Sequence, residues 1–206
     1  MVNIGVLISG NGTNLQAIID GIKEGKINGK IKLVISNRKD AYGLVRCEKE
    51  KIESMFIDPK KYDSITYNRR LMEEFKKRNV ELIVLAGYLK VLSKEFVEAY
   101  TNRIINIHPS LIPSFSGKGF YGERVHKAVL DYGVRYTGAT VHFVDEGTDT
   151  GPIILQEVVP VDEGDTVDTL SKKVLKVEHS ILVEAVSLYC RGKLAVHGRK
   201  VKIVKE

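Results

Sequence analysis

Nearly unbroken apolar runs, set apart by stretches of helical periodicity, fix most of what this chain can fold into. Residues 2–8 are the first such run, and Ile31–Ile35, Glu81–Ala86 and Ile104–Ile107 repeat the pattern. Apolar residues at consecutive positions suit a strand buried on both faces, as in a parallel sheet covered by helices. Between these runs, Leu15, Ile18, Ile19 and Ile22 recur at helical spacing. Gly43–Lys51, Ser64–Arg78 and Lys94–Tyr100 read as further helices, and Met55–Ile57 as a short strand. Such alternation implies right-handed βαβ units. The expected class is α/β: a mostly parallel twisted sheet with helices on both faces.

The pattern changes after residue 110. Pro113 to Glu123 reads as a loop with Gly117, Gly119, Gly122 and two aromatics, Phe120 and Tyr121. A helix over Glu123–Asp131 follows. Thr140–Val144 and Ile153–Val159 read as strands joined by a Gly- and Asp-rich turn, and so short a connection makes them antiparallel. Asp165 is placed to cap a long helix reaching about Cys190, with Gly192 just past its end. Leu194–Val196 and Val201–Val204 read as edge strands. Neither an internal repeat nor a Pro/Ser-rich linker interrupts the 206 residues, so one domain over 1–206 is expected.

No apolar run approaches the ~20 residues of a membrane span. The amino terminus reads as a strand with no basic region before it, so no signal peptide is expected. Cys47 and Cys190 lie far apart and fit no metal spacing. They read as thiols of a reducing compartment, which places the protein in the cytoplasm. The net charge of +6 suits nucleic acid or small anionic substrates alike. The lysines are scattered in pairs (Lys60-Lys61, Lys76-Lys77, Lys172-Lys173), so most read as solvated faces.

Two segments carry chemistry. Ser9-Gly10-Asn11-Gly12-Thr13-Asn14 joins the first strand to the first helix. Exposed amides at a helix amino terminus suit a phosphate. The segment is neither the dinucleotide fingerprint nor a Walker A loop, and a tight Asn-Gly turn with nothing bound is the plain alternative. The second segment is Asn106-Ile107-His108-Pro109-Ser110. Side chains two apart on a strand share a face, so an amide donor and an imidazole stand together where the strand ends. Ligands of α/β sheets sit at such carboxyl ends. A carboxylate such as Asp149 beside the ring would raise the His108 pKa. A charged His108 and the Asn106 amide would then stabilise an oxyanion on a carbonyl substrate. A structural histidine is the plain alternative. Ser110 reads as a loop hydrogen-bonder, since no nucleophile elbow is present. His126, His142, His179 and His197 lack zinc spacing, so no metal is expected. His142 reads as a packed or supporting residue.

Taken together, five blocks resemble the glycinamide ribonucleotide (phosphoribosylglycinamide) formyltransferases: Val6–Ile19, Ile35–Arg38, Leu85–Ser93, Asn106–Pro113 and Val141–Ile154. The resemblance implies a Rossmann-like formyltransferase fold with antiparallel strands in the carboxyl-terminal half. It implies formyl transfer from 10-formyltetrahydrofolate, a co-substrate, to the amino group of N1-(5-phospho-D-ribosyl)glycinamide in de novo purine biosynthesis. The ribonucleotide phosphate would lie on Gly12, Thr13 and Asn14, with Glu178 toward the glycinamide end. The pterin would sit against Leu89, Lys90, Val91 and Leu92, with Asn106 and Asp145 also on the folate side. Asn106, protonated His108 and Asp149 would be catalytic. The chain departs from the family in two places. Its Gly117–Gly122 region reads as longer than in relatives, which suits a flap or a plain surface loop. Lys60–Asn68 matches poorly.

A 10-formyltetrahydrofolate hydrolase is the alternative enzyme; those proteins carry an extra amino-terminal region, whereas here the sequence opens on a strand. A formyltransferase acting on methionyl-tRNA would need a further RNA-binding domain. A non-catalytic nucleotide- or RNA-binding module lacks the expected aromatic platform, because Tyr88, Phe120 and Tyr121 form no such motif. The partners are therefore small molecules, with no nucleic acid and no membrane; the sequence leaves the oligomeric state open.

Overall fold

The computed structural model describes residues 1–204 and divides into two compact units, Met1–Ile105 and the residues from Asn106 onward. In the first unit, β1 (Val2–Ile8), α1 (Thr13–Lys23), β2 (Gly29–Ser36), α2 (Tyr42–Lys49) and β3 (Ser54–Phe56) alternate. After them come α3 (Ser64–Lys76), β4 (Leu82–Leu85), α4 (Lys94–Ala99) and the start of β5 (Ile104–His108). β1 lies between β2 and β4 and is parallel to both, and β3 extends the set parallel to β2. This is why the run of β1 is continuous: Ile4, Val6, Leu7 and Ile8 are all fully buried, with no solvent face to make polar. Phe75 of α3 meets Phe96 of α4 edge-on at 6.5 Å, and Phe96 stacks on Tyr100 at 5.5 Å, closing this core. Asp63 and Ser93 cap α3 and α4 by accepting the N–H groups of Thr66 and Phe96.

The second unit holds the end of β5, α5 (Glu123–Tyr132), β6 (Tyr136–Phe143), β7 (Ile153–Pro160), α6 (Val167–Cys190), β8 (Leu194–His197) and β9 (Lys200–Ile203). β6 and β7 pair antiparallel, as do β8 and β9, while β9 touches β7 in parallel sense at Ile153 and Lys200. The mostly parallel sheet with antiparallel strands toward the carboxyl terminus is the class expected from the sequence. A register shift falls between Val141 and His142 of β6, and such bulges re-aim the side chain beside them.

Several boundaries differ from expectation. β6 begins at Tyr136 rather than Thr140, because Thr137 and Gly138 break the apolar pattern while their backbone still pairs with Val159 and Val158. The cap of α6 is Thr166 rather than Asp165. Thr166 Oγ accepts the Thr169 N–H at 3.2 Å and Thr169 Oγ accepts the Thr166 N–H at 2.9 Å. Asp165 instead accepts Lys173 Nζ at 2.5 Å. Among the described residues no helix is long and apolar enough to cross a membrane, and neither cysteine is in a disulfide.

Candidate active site

The end of β5 brings Asn106 and His108 onto one face, as their spacing requires. His108 is only 4% exposed. Its Nε2 donates to the Phe115 carbonyl at 2.9 Å, and its Nδ1 lies 3.5 Å from Asp149 Oδ2. Asp149 comes from the turn between β6 and β7 and adopts a left-handed φ of 57°. That region is costly for most side chains, and aspartate is among the few that tolerate it. The conformation turns the carboxylate inward: Oδ2 accepts the Gly117 N–H at 2.9 Å, and Oδ1 lies 3.7 Å from His142 Nε2. His142, at the β6 bulge, closes the group. Its Nε2 stands 3.1 Å from Asn106 Nδ2, and its Nδ1 donates to the Phe143 carbonyl at 2.8 Å. The three candidate catalytic residues thus share one cluster, in which His142 is hydrogen-bonded to the amide and stands beside the carboxylate. Ser110 is the loop hydrogen-bonder the sequence suggested: its Oγ donates to the Ser114 carbonyl at 2.6 Å.

The other candidate residues of this unit stand apart from that cluster in character. Glu178 is buried on α6. The Asp145 carboxylate is engaged within its own turn, accepting from Gly147 N–H at 3.1 Å and Thr150 Oγ at 2.5 Å. Gly151 closes that turn where no side chain fits, since a Cβ there would lie 1.8 Å from the Phe143 carbonyl oxygen. Among the described residues, no group of three or more His, Cys, Asp or Glu side chains is placed to hold a metal ion.

In the first unit, the 10–14 loop enters α1 through Gly12, whose φ is +68°. A Cβ at Gly12 would fall 2.7 Å from the Gly43 Cα, so the close approach of α2 also demands glycine. Gly43 N–H donates to the Gly10 carbonyl at 3.1 Å. Arg46 then holds the loop, with Nε on the Asn11 carbonyl at 2.8 Å and Nη1 on Gln16 Oε1 at 3.2 Å. The first turn of α1 carries no acidic residue. Thr13 is half-buried and Asn14 buried. An amino-terminal turn with a guanidinium alongside is suited to an anion. Leu89 and Val91 are 56% and 71% exposed, whereas Leu92 next to them in the chain is buried. The Leu89 N–H donates to Ser9 Oγ at 2.9 Å, which ties their segment to the residue just after β1. Lys90 reaches over the Tyr67 ring at 5.8 Å.

The sequence pattern described as Formyl transferase matches residues 2–186. The chain belongs to the formyl transferase family. The chain is 41% identical over 197 residues to the phosphoribosylglycinamide formyltransferase of Escherichia coli, covering 95% of its own length and 91% of that protein. It is 46% identical to part of the trifunctional purine biosynthetic protein adenosine-3 of Gallus gallus, but spans only 19% of that chain. The chloroplastic phosphoribosylglycinamide formyltransferase of Arabidopsis thaliana is 40% identical and is spanned to 66% of its length. Among solved structures, the glycinamide ribonucleotide transformylase 1 of Symbiobacterium toebii superposes with a TM-score of 0.94 at 47% identity, covering 100% of this chain and 95% of that one. A formyltetrahydrofolate deformylase from Pseudomonas syringae shares the fold at a TM-score of 0.89 and 25% identity; this chain covers 66% of it.

Electrostatics at the β5 end correct one expectation. Burial is the largest influence on His108 and pushes its pKa below 6.5, further than Asp149 and the Phe115 carbonyl raise it, and His142 adds to the lowering. The sequence suggested a raised pKa because it brought in the carboxylate but not the burial. Burial also pushes the Asp149 carboxyl up, yet the neighbouring His142 and His108 rings and the Gly117 N–H together hold it below its ordinary 3.8. The resting site therefore pairs a carboxylate with a mostly neutral ring at neutral pH.

Arg46, on the Asn11 carbonyl, and the Phe115 carbonyl, on His108, are the members of the candidate site without a signal in the sequence. Arg46 sits on α2, and nothing local to it points at Asn11. The Phe115 carbonyl has no side-chain signature at all. His126 was weighed only as a metal ligand, but it is 3% exposed on α5. Burial, aided by the nearby His108, lowers its pKa from 6.5 to about 4.

That shift carries a stability prediction. In the folded protein the His126 ring stays neutral until about pH 4, whereas the unfolded chain takes up a proton below 6.5. The contribution is therefore complete above the unfolded value and is lost as pH falls toward the folded one. Between pH 7 and pH 5 the loss is about 2 kcal/mol. Urea unfolding at both pH values checks it: wild type loses stability over this interval, and His126→Leu loses measurably less. Equal losses would remove His126 from the account.

Proposed function

We propose that this chain is a phosphoribosylglycinamide formyltransferase that takes its formyl group from 10-formyltetrahydrofolate in de novo purine biosynthesis. The reading is carried by one observation, the cluster of Asn106, His142, Asp149 and His108, in a chain whose Escherichia coli relative, covered to 91% of its length, bears that name. Both compact units form the one catalytic domain in this reading, since the family match over 2–186 runs through the division between them. The protein acts in the cytoplasm on small molecules alone, and no metal takes part.

The ribonucleotide phosphate binds the amides of Gly12, Thr13 and Asn14, with Arg46 adding charge, and Glu178 faces the glycinamide end. The pterin lies against Leu89–Leu92, and the Asp145 turn stands on the folate side. The glycinamide amine attacks the formyl carbon, forming a C–N bond and pushing an electron pair onto the formyl oxygen. Asn106 Nδ2 and an N–H of His108 stabilise that oxyanion. Phe115 is the replaceable partner of the ring, being a neutral acceptor, so its carbonyl yields Nε2–H to the oxyanion. The lone pair of the neutral ring is on Nδ1, beside Asp149, so the proton leaving the attacking amine reaches it through water. Once charged, the ring is stabilised by Asp149 and by the oxyanion. The bond to the folate nitrogen then breaks, and the proton passes to that nitrogen through His108 or water.

The test is formyl transfer by the purified protein, followed as tetrahydrofolate release with and without phosphoribosylglycinamide. Acceptor-dependent release is expected. Equal release without acceptor would make the chain a 10-formyltetrahydrofolate hydrolase, and a folded protein with no folate turnover would overturn the reading.

A further inference from the structure

We propose that His142 is a positioning residue that fixes which way the Asn106 amide faces, and so where its oxyanion donor points. The proposal rests on Asn106 acting on the oxyanion as above. A backbone carbonyl only accepts hydrogen bonds, so the 2.8 Å contact to Phe143 requires the proton on His142 Nδ1. In the neutral ring Nε2 then holds only a lone pair. The group it meets at 3.1 Å is Asn106, and a lone pair is satisfied by the amide NH2 and repelled by the amide oxygen. Asp149 Oδ1, at 3.7 Å, is too distant for a hydrogen bond and is itself an acceptor.

The consequence is an amide locked in one of its two nearly isosteric orientations. One Nδ2–H is spent on His142, and the second is left to donate. A flipped amide would put its oxygen toward the histidine lone pair and move the donor to the other side. Water cannot easily substitute for the ring, because His142 is only 2% exposed. The ring itself is held at both ends. The β6 register shift sets its backbone, and the tight Gly151 approach fixes the Phe143 carbonyl that selects its tautomer.

A double-mutant cycle tests this. His142→Leu removes the acceptor and is expected to lower kcat roughly 10- to 100-fold with KM nearly unchanged, below the ~10²–10³ of losing a donor outright. His142→Gln, which restores an acceptor oxygen, is expected to recover most of the loss. In an Asn106→Ala background, His142→Leu should change kcat less than about twofold, since the amide it orients is gone. An undiminished effect there, or no recovery with glutamine, would overturn the proposal. If Asn106→Ala alone leaves kcat intact, the oxyanion reading fails instead, which the cycle reports separately. Should His142→Leu not fold, ¹⁵N NMR of the wild-type imidazoles decides. A proton on Nδ1 of the neutral ring supports the proposal, and a proton on Nε2 overturns it.

Discussion

His108→Ala is expected to lower kcat about 10³-fold, with KM for both substrates within about threefold. Two effects combine in that figure. In the proposed mechanism the ring is a hydrogen-bond donor to the oxyanion and also the residue that takes up the amine proton. Each is made in the transition state rather than in the bound ground state, so the loss falls on kcat. A 10³-fold change corresponds to about 4 kcal/mol of barrier. Binding survives because the proposed phosphate site around Gly12 and the exposed Leu89 and Val91 belong to other segments. Steady-state kinetics with a thermal unfolding control measures it. A folded variant retaining more than a tenth of wild-type kcat would remove His108 from the chemistry.

Asp149→Asn is expected to cost about 10²-fold in kcat and to move the acidic limb of the kcat–pH profile to lower pH. The substitution is close to isosteric, and the amide oxygen still accepts the Gly117 N–H, so the loop contact at 2.9 Å is kept. What disappears is the negative charge 3.5 Å from His108 Nδ1. That charge raises the His108 pKa against the larger lowering effect of burial, so without it the pKa falls further. In the proposed mechanism the ring must be neutral to accept the amine proton; it is then neutral down to lower pH, which displaces the limb. The same loss leaves the imidazolium of the transition state without its counter-charge, which lowers the plateau. A profile that keeps its limb while the plateau falls would assign Asp149 to holding the loop rather than to the charge on His108.

Much of this was legible in the sequence, and the reason is local. β1 announces itself because Ile4, Val6, Leu7 and Ile8 are contiguous, and α1 because Leu15, Ile18 and Ile19 fall on one helical face. Asn106 and His108 share a face because a strand repeats every two residues, whatever surrounds it. Even the Gly10–Asn14 turn is written in its own composition. Boundaries slipped where a neighbour decides them: β6 extends back to Tyr136 through pairing with β7, and Thr166 rather than Asp165 caps α6.

The sequence by itself thus determined the strand–helix alternation and the residue types of the reactive end of β5. Tertiary structure decided which groups meet there and in what protonation state. Asp149 and His142 lie far along the chain from His108; Asp149 reaches its ring from a left-handed turn, and His142 reaches Asn106 from the β6 bulge. The pKa of His108 turns on the balance between a nearby carboxylate, which pattern can suggest, and loss of water, which it cannot. Desolvation is a property of everything packed around a group, so no window of sequence contains it. It is also the larger of the two here, which is why the ring rests neutral although its counter-charge is in place.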